Sequence, residues 1–171
     1  MQQGPDDARL DAVASQVGDA LHARHAMLTT AESCTGGWVA KILTDIPGSS
    51  AWFDRGFVTY TNQSKQDMLG VGADMLAQHG AVSEGVVDAM ARGALQASQA
   101  RFSLAITGIA GPGGATSDKP VGLVWFGWGR QTNGQSLIRT ARHLFVGDRD
   151  AVRRQAVQTA LTGVLDDLAA G

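Results

Sequence analysis

Apolar residues recur at Leu10, Val13, Val17 and Leu21. Their spacing of three and four predicts an amphipathic helix over residues 7–24. The short apolar segment from Ala26 to Thr30 predicts a strand. It passes through small polar residues into a second helical pattern carrying Trp38, Val39, Ile42 and Leu43, which Pro47-Gly48-Ser49-Ser50 breaks. Gly56 to Thr61 alternates and is rich in strand formers, so it predicts a strand, with Asn62 capping the helix behind it. A short helix is expected over Asp74 to His79, ended by Gly80. A longer one, capped by Ser83 and running to about Gln99, buries Val86, Val87, Met90 and Leu95.

Phe102 to Thr107 is an apolar run suited to a buried strand, and Val121 to Trp128 is the longest strand candidate. Asn133-Gly134 is a hairpin turn signal, returning the chain as an antiparallel strand over Ser136 to Phe145. Asp148 caps a last helix whose apolar face runs from Val152 to Leu165. Helices alternating with strands, then a hairpin, predict a three-layer α/β/α sandwich with a mixed, mostly parallel sheet. Residues 1–171 form one domain on this reading, with residues 1–6 as a flexible N-terminus.

Composition narrows the function more than the fold. Hydrophobic residues at 44% and charged residues at 18% are ordinary for a globular chain. A net charge of −2 lacks the basic footprint of a nucleic-acid binder. The single cysteine, Cys34, excludes an internal disulfide and any multi-cysteine metal site. The start, Met1-Gln2-Gln3-Gly4-Pro5-Asp6-Asp7, is polar and acidic and is no signal peptide. No apolar run approaches membrane-spanning length. A cytoplasmic protein without nucleic-acid or membrane partners is expected.

Candidate chemistry gathers where strands hand over to helices. In Thr29-Thr30-Ala31-Glu32-Ser33-Cys34-Thr35-Gly36-Gly37-Trp38, a hydroxyl and a thiol sit at such a junction. Free N–H groups of a first helical turn would hold an oxyanion or phosphate there, and Gly36 and Gly37 permit close approach. The same pattern also fits a plain helix capped by Ser33 or Thr35. Tyr60 and Lys65 flank the next junction, where open α/β sheets place their sites. On position alone Lys65 reads equally as a solvated helix residue and Tyr60 as packing. Gly108-Ile109-Ala110-Gly111-Pro112-Gly113-Gly114 follows a buried strand, as a ligand loop or a connector, without Rossmann or P-loop spacing. Ala115 to Pro120 reads as a mobile polar loop. Arg149, Arg153 and Arg154 oppose the dipole of the last helix at its start, which suggests an anionic partner or a solvated charged face. His22 and His25 read as surface residues at a helix end.

The stretches TTAESCTGGWVAKILTDIPGSSAWFDRGFVTYTNQSK, GAVSE, ITGIAGPGG, KPVGLVWFGW and GDRDAVRRQA resemble the CinA C-terminal domain family, the nicotinamide-nucleotide amidohydrolases of bacteria. The resemblance covers about Leu10 to Leu168. It looks like the stand-alone form, without the extra N-terminal domain of larger members. Thr107 stands where some members carry Ser. The resemblance implies hydrolysis of nicotinamide mononucleotide to nicotinate mononucleotide and ammonia. It implies Ser33 as nucleophile with Tyr60 and Lys65 as companions, no cofactor or metal, and dimeric or higher assembly.

Amide hydrolysis needs a nucleophile, a base and oxyanion donors. No histidine lies in a matched motif, so a Ser–Lys arrangement is expected rather than Ser-His-Asp. The amides of Cys34 and Thr35 are the candidate oxyanion hole. Gly36, Thr107, Gly108, Gly111, Gly113, Gly114 and Arg149 are the candidate substrate contacts. Cys34 is the rival nucleophile, since helix N-termini favour thiolates. The alternative function is a non-catalytic nucleotide-binding module, a regulator linked to DNA uptake or damage.

Overall fold

In a computed structural model, which describes residues 4–170, five strands form one mixed sheet in the order β2-β1-β3-β4-β5. The elements run α1 (Asp7–Ala23), β1 (Leu28–Glu32), α2 (Trp38–Thr44), β2 (Phe53–Val58), α3 (Asn62–Leu69), α4 (Ala73–His79), α5 (Glu84–Gln96), β3 (Phe102–Gly108), β4 (Leu123–Thr132), β5 (Gln135–Leu144) and α6 (Arg149–Ala169). β1 pairs in parallel with β2 and β3, while β4 and β5 are antiparallel. The three-layer mixed sandwich expected from the sequence is thus what the chain forms.

Each face of the sheet has its own core. Leu10, Val17 and Leu21 of α1, Val39 and Leu43 of α2, and Val157, Leu161 and Val164 of α6 pack on one face. Leu69 of α3, Leu76 of α4, and Val86, Val87 and Met90 of α5 cover the other. α5 sits so close to the end of α3 that a Cβ on Gly93 would lie 2.0 Å from the Leu69 carbonyl oxygen. That contact fixes the helix bearing Lys65.

β1 is central among the parallel strands. The chain leaves it through α2 to β2 on one side, then returns through α3–α5 to β3 on the other. The carboxyl ends of β1 and β3 therefore bound a topological switch point, the crevice where open α/β sheets bind ligands. Glu32 pairs with Ile106 in register at this end, so the segments beginning at Ser33 and Ile109 leave the sheet side by side.

Several boundaries differ from the sequence expectation. The second strand spans 53–58 rather than 56–61. Its start is fixed by pairing with β1, in which Leu28 matches Phe53 and Glu32 matches Val58. Thr61, not Asn62, caps α3 in a reciprocal capping box with Ser64. α5 ends at Gln96. Asp148 and Ser83 cap their helices as expected, and Asn133-Gly134 forms the turn with both residues at positive φ. His22 and His25 are exposed.

Of the stretch expected to be flexible, residues 1–3 lie outside the described residues. Asp6 caps α1, and the Pro5 carbonyl accepts from Arg154. The 115–120 loop is tied down: Thr116 N–H donates to the Lys119 carbonyl (2.9 Å), and the Lys119 ammonium donates to the His79 carbonyl.

Candidate active site

β1 ends on Glu32, and the next five residues form a turn rather than a helix. Gly36 and Gly37 adopt positive φ, and α2 begins only at Trp38, with Gly37 in the cap position. The expected cap by Ser33 or Thr35 is absent. So is the expected anion seat on the helix terminus, because the protein fills it itself. The Glu32 carboxylate, 1% exposed, accepts from the amides of Val39 (2.9 Å) and Ala40 (3.0 Å). Burial pushes the Glu32 carboxyl up, and those two amides pull it back only in part.

Ser33 is released at the tip of β1 with its own N–H donated to the Ile106 carbonyl (3.0 Å). Its hydroxyl lies 3.0 Å from Nζ of Lys65, which reaches it from the first turns of α3. Lys65 is 1% exposed. Its Nζ also donates to the Thr59 carbonyl at 2.6 Å, and it makes no ion pair among the described residues. Burial holds its ammonium below the usual lysine range, since removing water disfavours the charged form. A neutral amine has two N–H donors and one lone pair. As an ammonium, Nζ donates to the serine hydroxyl; in the neutral form, with one donor on Thr59, the lone pair would face that hydroxyl instead.

Cys34 does not share this activation. Burial first, and the Glu32 charge second, push its thiol up to about 12. The field of a helix N-terminus that would have favoured a thiolate is already taken by Glu32.

Ser33, Cys34, Tyr60, Lys65, Thr107 and Arg149 line one cavity of about 240 Å³, together with Gly108, Gly111, Gly113 and Gly114. Thr107 donates its hydroxyl to the Ala81 carbonyl (2.9 Å). Tyr60 is 59% exposed, and its hydroxyl accepts from the Arg149 guanidinium (3.0 Å). It makes no hydrogen bond to Ser33 or Lys65 among the described residues. Arg149 also donates to the Gly111 carbonyl (2.8 Å), which ties α6 to the glycine loop.

The glycines of that loop have different reasons. A Cβ at 108 would meet Val124 at 2.7 Å, and Gly111 has φ +83 with Val121 beside it. Only Gly113 faces open space. Gly36, expected beside the substrate, and Thr35, expected as an oxyanion donor, line instead a second cleft of about 540 Å³ with Asp7, Asp11, Trp38, Lys41 and Asp45, whereas Cys34 lines the cavity of Ser33 and Lys65.

Arg153 and Arg154 are likewise not free for an anion. Arg153 donates to the carbonyls of Cys34 (3.1 Å) and Thr35 (3.0 Å), Arg154 pairs with Asp7 and Asp150, and both guanidiniums cover the Trp38 ring. Among the described residues no three His, Cys, Asp or Glu side chains are placed to hold a metal ion, and no helix is long and apolar enough to cross a membrane.

Sequence reasoning missed Glu32, the Thr59 carbonyl, the apolar wall of Ala81, Val82 and Ile109, and the role of Arg153. The first and third stand inside the matched stretches TTAESCTGG, GAVSE and ITGIAGPGG, which was the available signal. A backbone carbonyl leaves none.

Known proteins share this arrangement of elements. The CinA C-terminal domain model matches residues 10–168. The chain is 59% identical over 155 residues to the nicotinamide-nucleotide amidohydrolase PncC of Escherichia coli (strain K12), covering 91% of this chain and 92% of that protein. It is 51% identical over 153 residues to the protein of the same name from Pseudomonas putida, covering 90% and 93%. The crystal structure of the competence/damage inducible protein CihA from Agrobacterium tumefaciens superposes with a TM-score of 0.87 at 44% identity, covering 99% of both chains.

Proposed function

The chain belongs to the CinA C-terminal domain family, and from that premise we propose that it hydrolyses the carboxamide of nicotinamide mononucleotide to nicotinate mononucleotide and ammonia. The observation that carries the reading is the buried Lys65 amine 3.0 Å from the Ser33 hydroxyl. The amidohydrolase relatives supply the substrate class.

In this mechanism Ser33 Oγ attacks the carboxamide carbon while the neutral Lys65 amine takes its proton. The Thr59 carbonyl holds the resulting ammonium in place. The amides of Cys34 and Thr35 receive the oxyanion. Lys65 returns the proton to the departing nitrogen, ammonia leaves, and an ester to Ser33 remains. Lys65 then takes a proton from water as it attacks the ester and passes that proton to the departing Ser33 oxygen, which frees the product and restores the neutral amine.

The pyridinium of the substrate favours each early step. Its positive charge disfavours a second cation at Lys65, and it withdraws electrons from the amide carbon. Ala81, Val82 and Ile109 provide apolar walls for the ring. Arg149, with the loop at Gly113, is the phosphate side of the cavity, and Tyr60 is held there by Arg149 as a positioned aromatic. The reaction recycles a pyridine nucleotide. Purified protein should release stoichiometric ammonia and nicotinate mononucleotide from nicotinamide mononucleotide. Binding of the nucleotide without any ammonia would instead support the non-catalytic module.

A further inference from the structure

An acyl-transfer site needs N–H donors aimed where the oxyanion forms. Ser33 cannot offer its own, because that N–H is donated to Ile106. Neither the Cys34 nor the Thr35 amide is engaged by a backbone acceptor among the described residues. Each amide is instead oriented through the carbonyl of its own peptide, since N–H and C=O point opposite ways across a trans peptide plane. The Ser33–Cys34 peptide is held by its carbonyl accepting from Gly36 N–H (3.0 Å), a contact within the turn. The Cys34–Thr35 peptide has no such local tether. Its carbonyl accepts from Nε of Arg153 (3.1 Å), and the second guanidinium nitrogen shares the Thr35 carbonyl (3.0 Å) with the Trp38 N–H (3.1 Å). Arg153 is itself half-buried and seated 5.1 Å from the centre of the Trp38 ring.

We infer that Arg153 is a positioning residue for the oxyanion hole: by gripping the Cys34 and Thr35 carbonyls from the far side of the turn, it presents the Thr35 N–H to the reacting carbonyl oxygen and polarises that peptide. The inference rests on the amidohydrolase reading. A cation on a peptide carbonyl draws electron density from the same peptide's N–H and makes it a stronger donor. The grip is bidentate across two carbonyls, a geometry that lysine cannot reproduce. Arg149, one helical turn earlier on α6, lines the cavity, so one helix face supplies both a substrate-side guanidinium and the clamp behind the nucleophile.

The test compares nicotinamide mononucleotide with its thiocarboxamide analogue in wild type, Arg153→Met and Arg153→Lys. Sulfur is a poor acceptor, so a working hole discriminates against the thioamide. Arg153→Met should lower kcat about 10²-fold, the scale of losing one hole donor. KM should stay within about threefold, and the oxygen-over-sulfur preference should shrink by a similar factor to kcat. Arg153→Lys should lie between, with its melting temperature read alongside. A change in the preference at unchanged melting temperature separates positioning from a mere loss of fold. If Arg153→Met does not fold, Arg153→Lys decides on the same ratio. An active wild type whose Arg153 variants keep its oxygen-over-sulfur preference would overturn the clamp. A wild type that releases no ammonia would instead reject the amidohydrolase reading itself.

Discussion

Two hollows lie on either side of the Ser33–Gly37 turn. The larger, about 540 Å³, opens between α1, α2 and α6. Its cations are occupied: Lys41 with Asp45 at 2.5 Å, Arg154 with Asp7 at 2.5 Å, and Arg153 with two carbonyls. The smaller, about 240 Å³, holds a buried lysine that has no carboxylate partner among the described residues and is pressed against a hydroxyl. Volume marks where side chains leave space. Function is marked by a group kept in a state that folding alone would not choose.

The contrast breaks most sharply at Lys65. Lys65→Arg should lose at least about 10³-fold in kcat, as should Ser33→Ala, because arginine keeps the charge but accepts no proton. Appreciable activity in Lys65→Arg would show that the site needs a charge and not a base. Since burial lowers the Lys65 pKa, kcat/KM in wild type should rise with pH through a lysine ionisation below its usual range. If the pyridinium assists, the kcat limb lies at lower pH than the kcat/KM limb. Coincident limbs would reject that assistance alone.

The next effect concerns the mouth of the smaller cavity. Arg149→Ala should weaken nicotinamide mononucleotide about tenfold or more, by loss of a charge-assisted contact, and affect the phosphate-free riboside much less. Equal losses for both compounds would take the phosphate away from Arg149.

The smallest effects are on stability, and they separate the two hollows by sign. A group whose folded pKa is depressed contributes its full stability above its unfolded value, here about 10.4, and loses it as the pH falls through the folded one. Lys65 is such a group. Inactive Lys65→Met should therefore melt higher than wild type at neutral pH, the gap closing as pH rises towards 10.4. Lys41→Ala in the larger cleft removes a solvent-exposed pair and should leave melting and turnover nearly unchanged. A Lys65→Met protein that melts below wild type across that range would mean the ammonium is better accommodated than its burial implies.

Periodicity was legible because it is local, and so were the caps Ser83 and Asp148, whereas the caps expected at Asn62 and at Ser33 or Thr35 were not formed. Leu10, Val17 and Leu21 declare α1, and Asp148 declares the start of α6. The strand bounds of β2 were less legible, because pairing with β1 rather than local alternation sets them. Ser33 and Lys65 were legible as a pair only through the family resemblance; by position Lys65 resembles any helix lysine, and only three dimensions show it 1% exposed. The basic cluster of α6 misled for the same reason. Arg153 meets Cys34 from 119 residues away and Arg154 meets Asp7 from 147, and no local pattern records such partners. Glu32 stood in plain view beside Ser33, but that it fills the α2 terminus depends on how the intervening turn folds back.

Helix α6 adds a consequence for how the protein is made. Synthesis up to Asp148 already provides Ser33, Lys65, Tyr60 and the glycine loop, whereas both guanidiniums that reach the Ser33–Gly37 turn and the cavity mouth, Arg153 and Arg149, come afterwards. A nascent chain paused at that point carries Ser33 and Lys65 without the contacts that Arg149 and Arg153 make. On the roles proposed for Arg149 and Arg153, the site is complete only once α6 has been made and docked against α1.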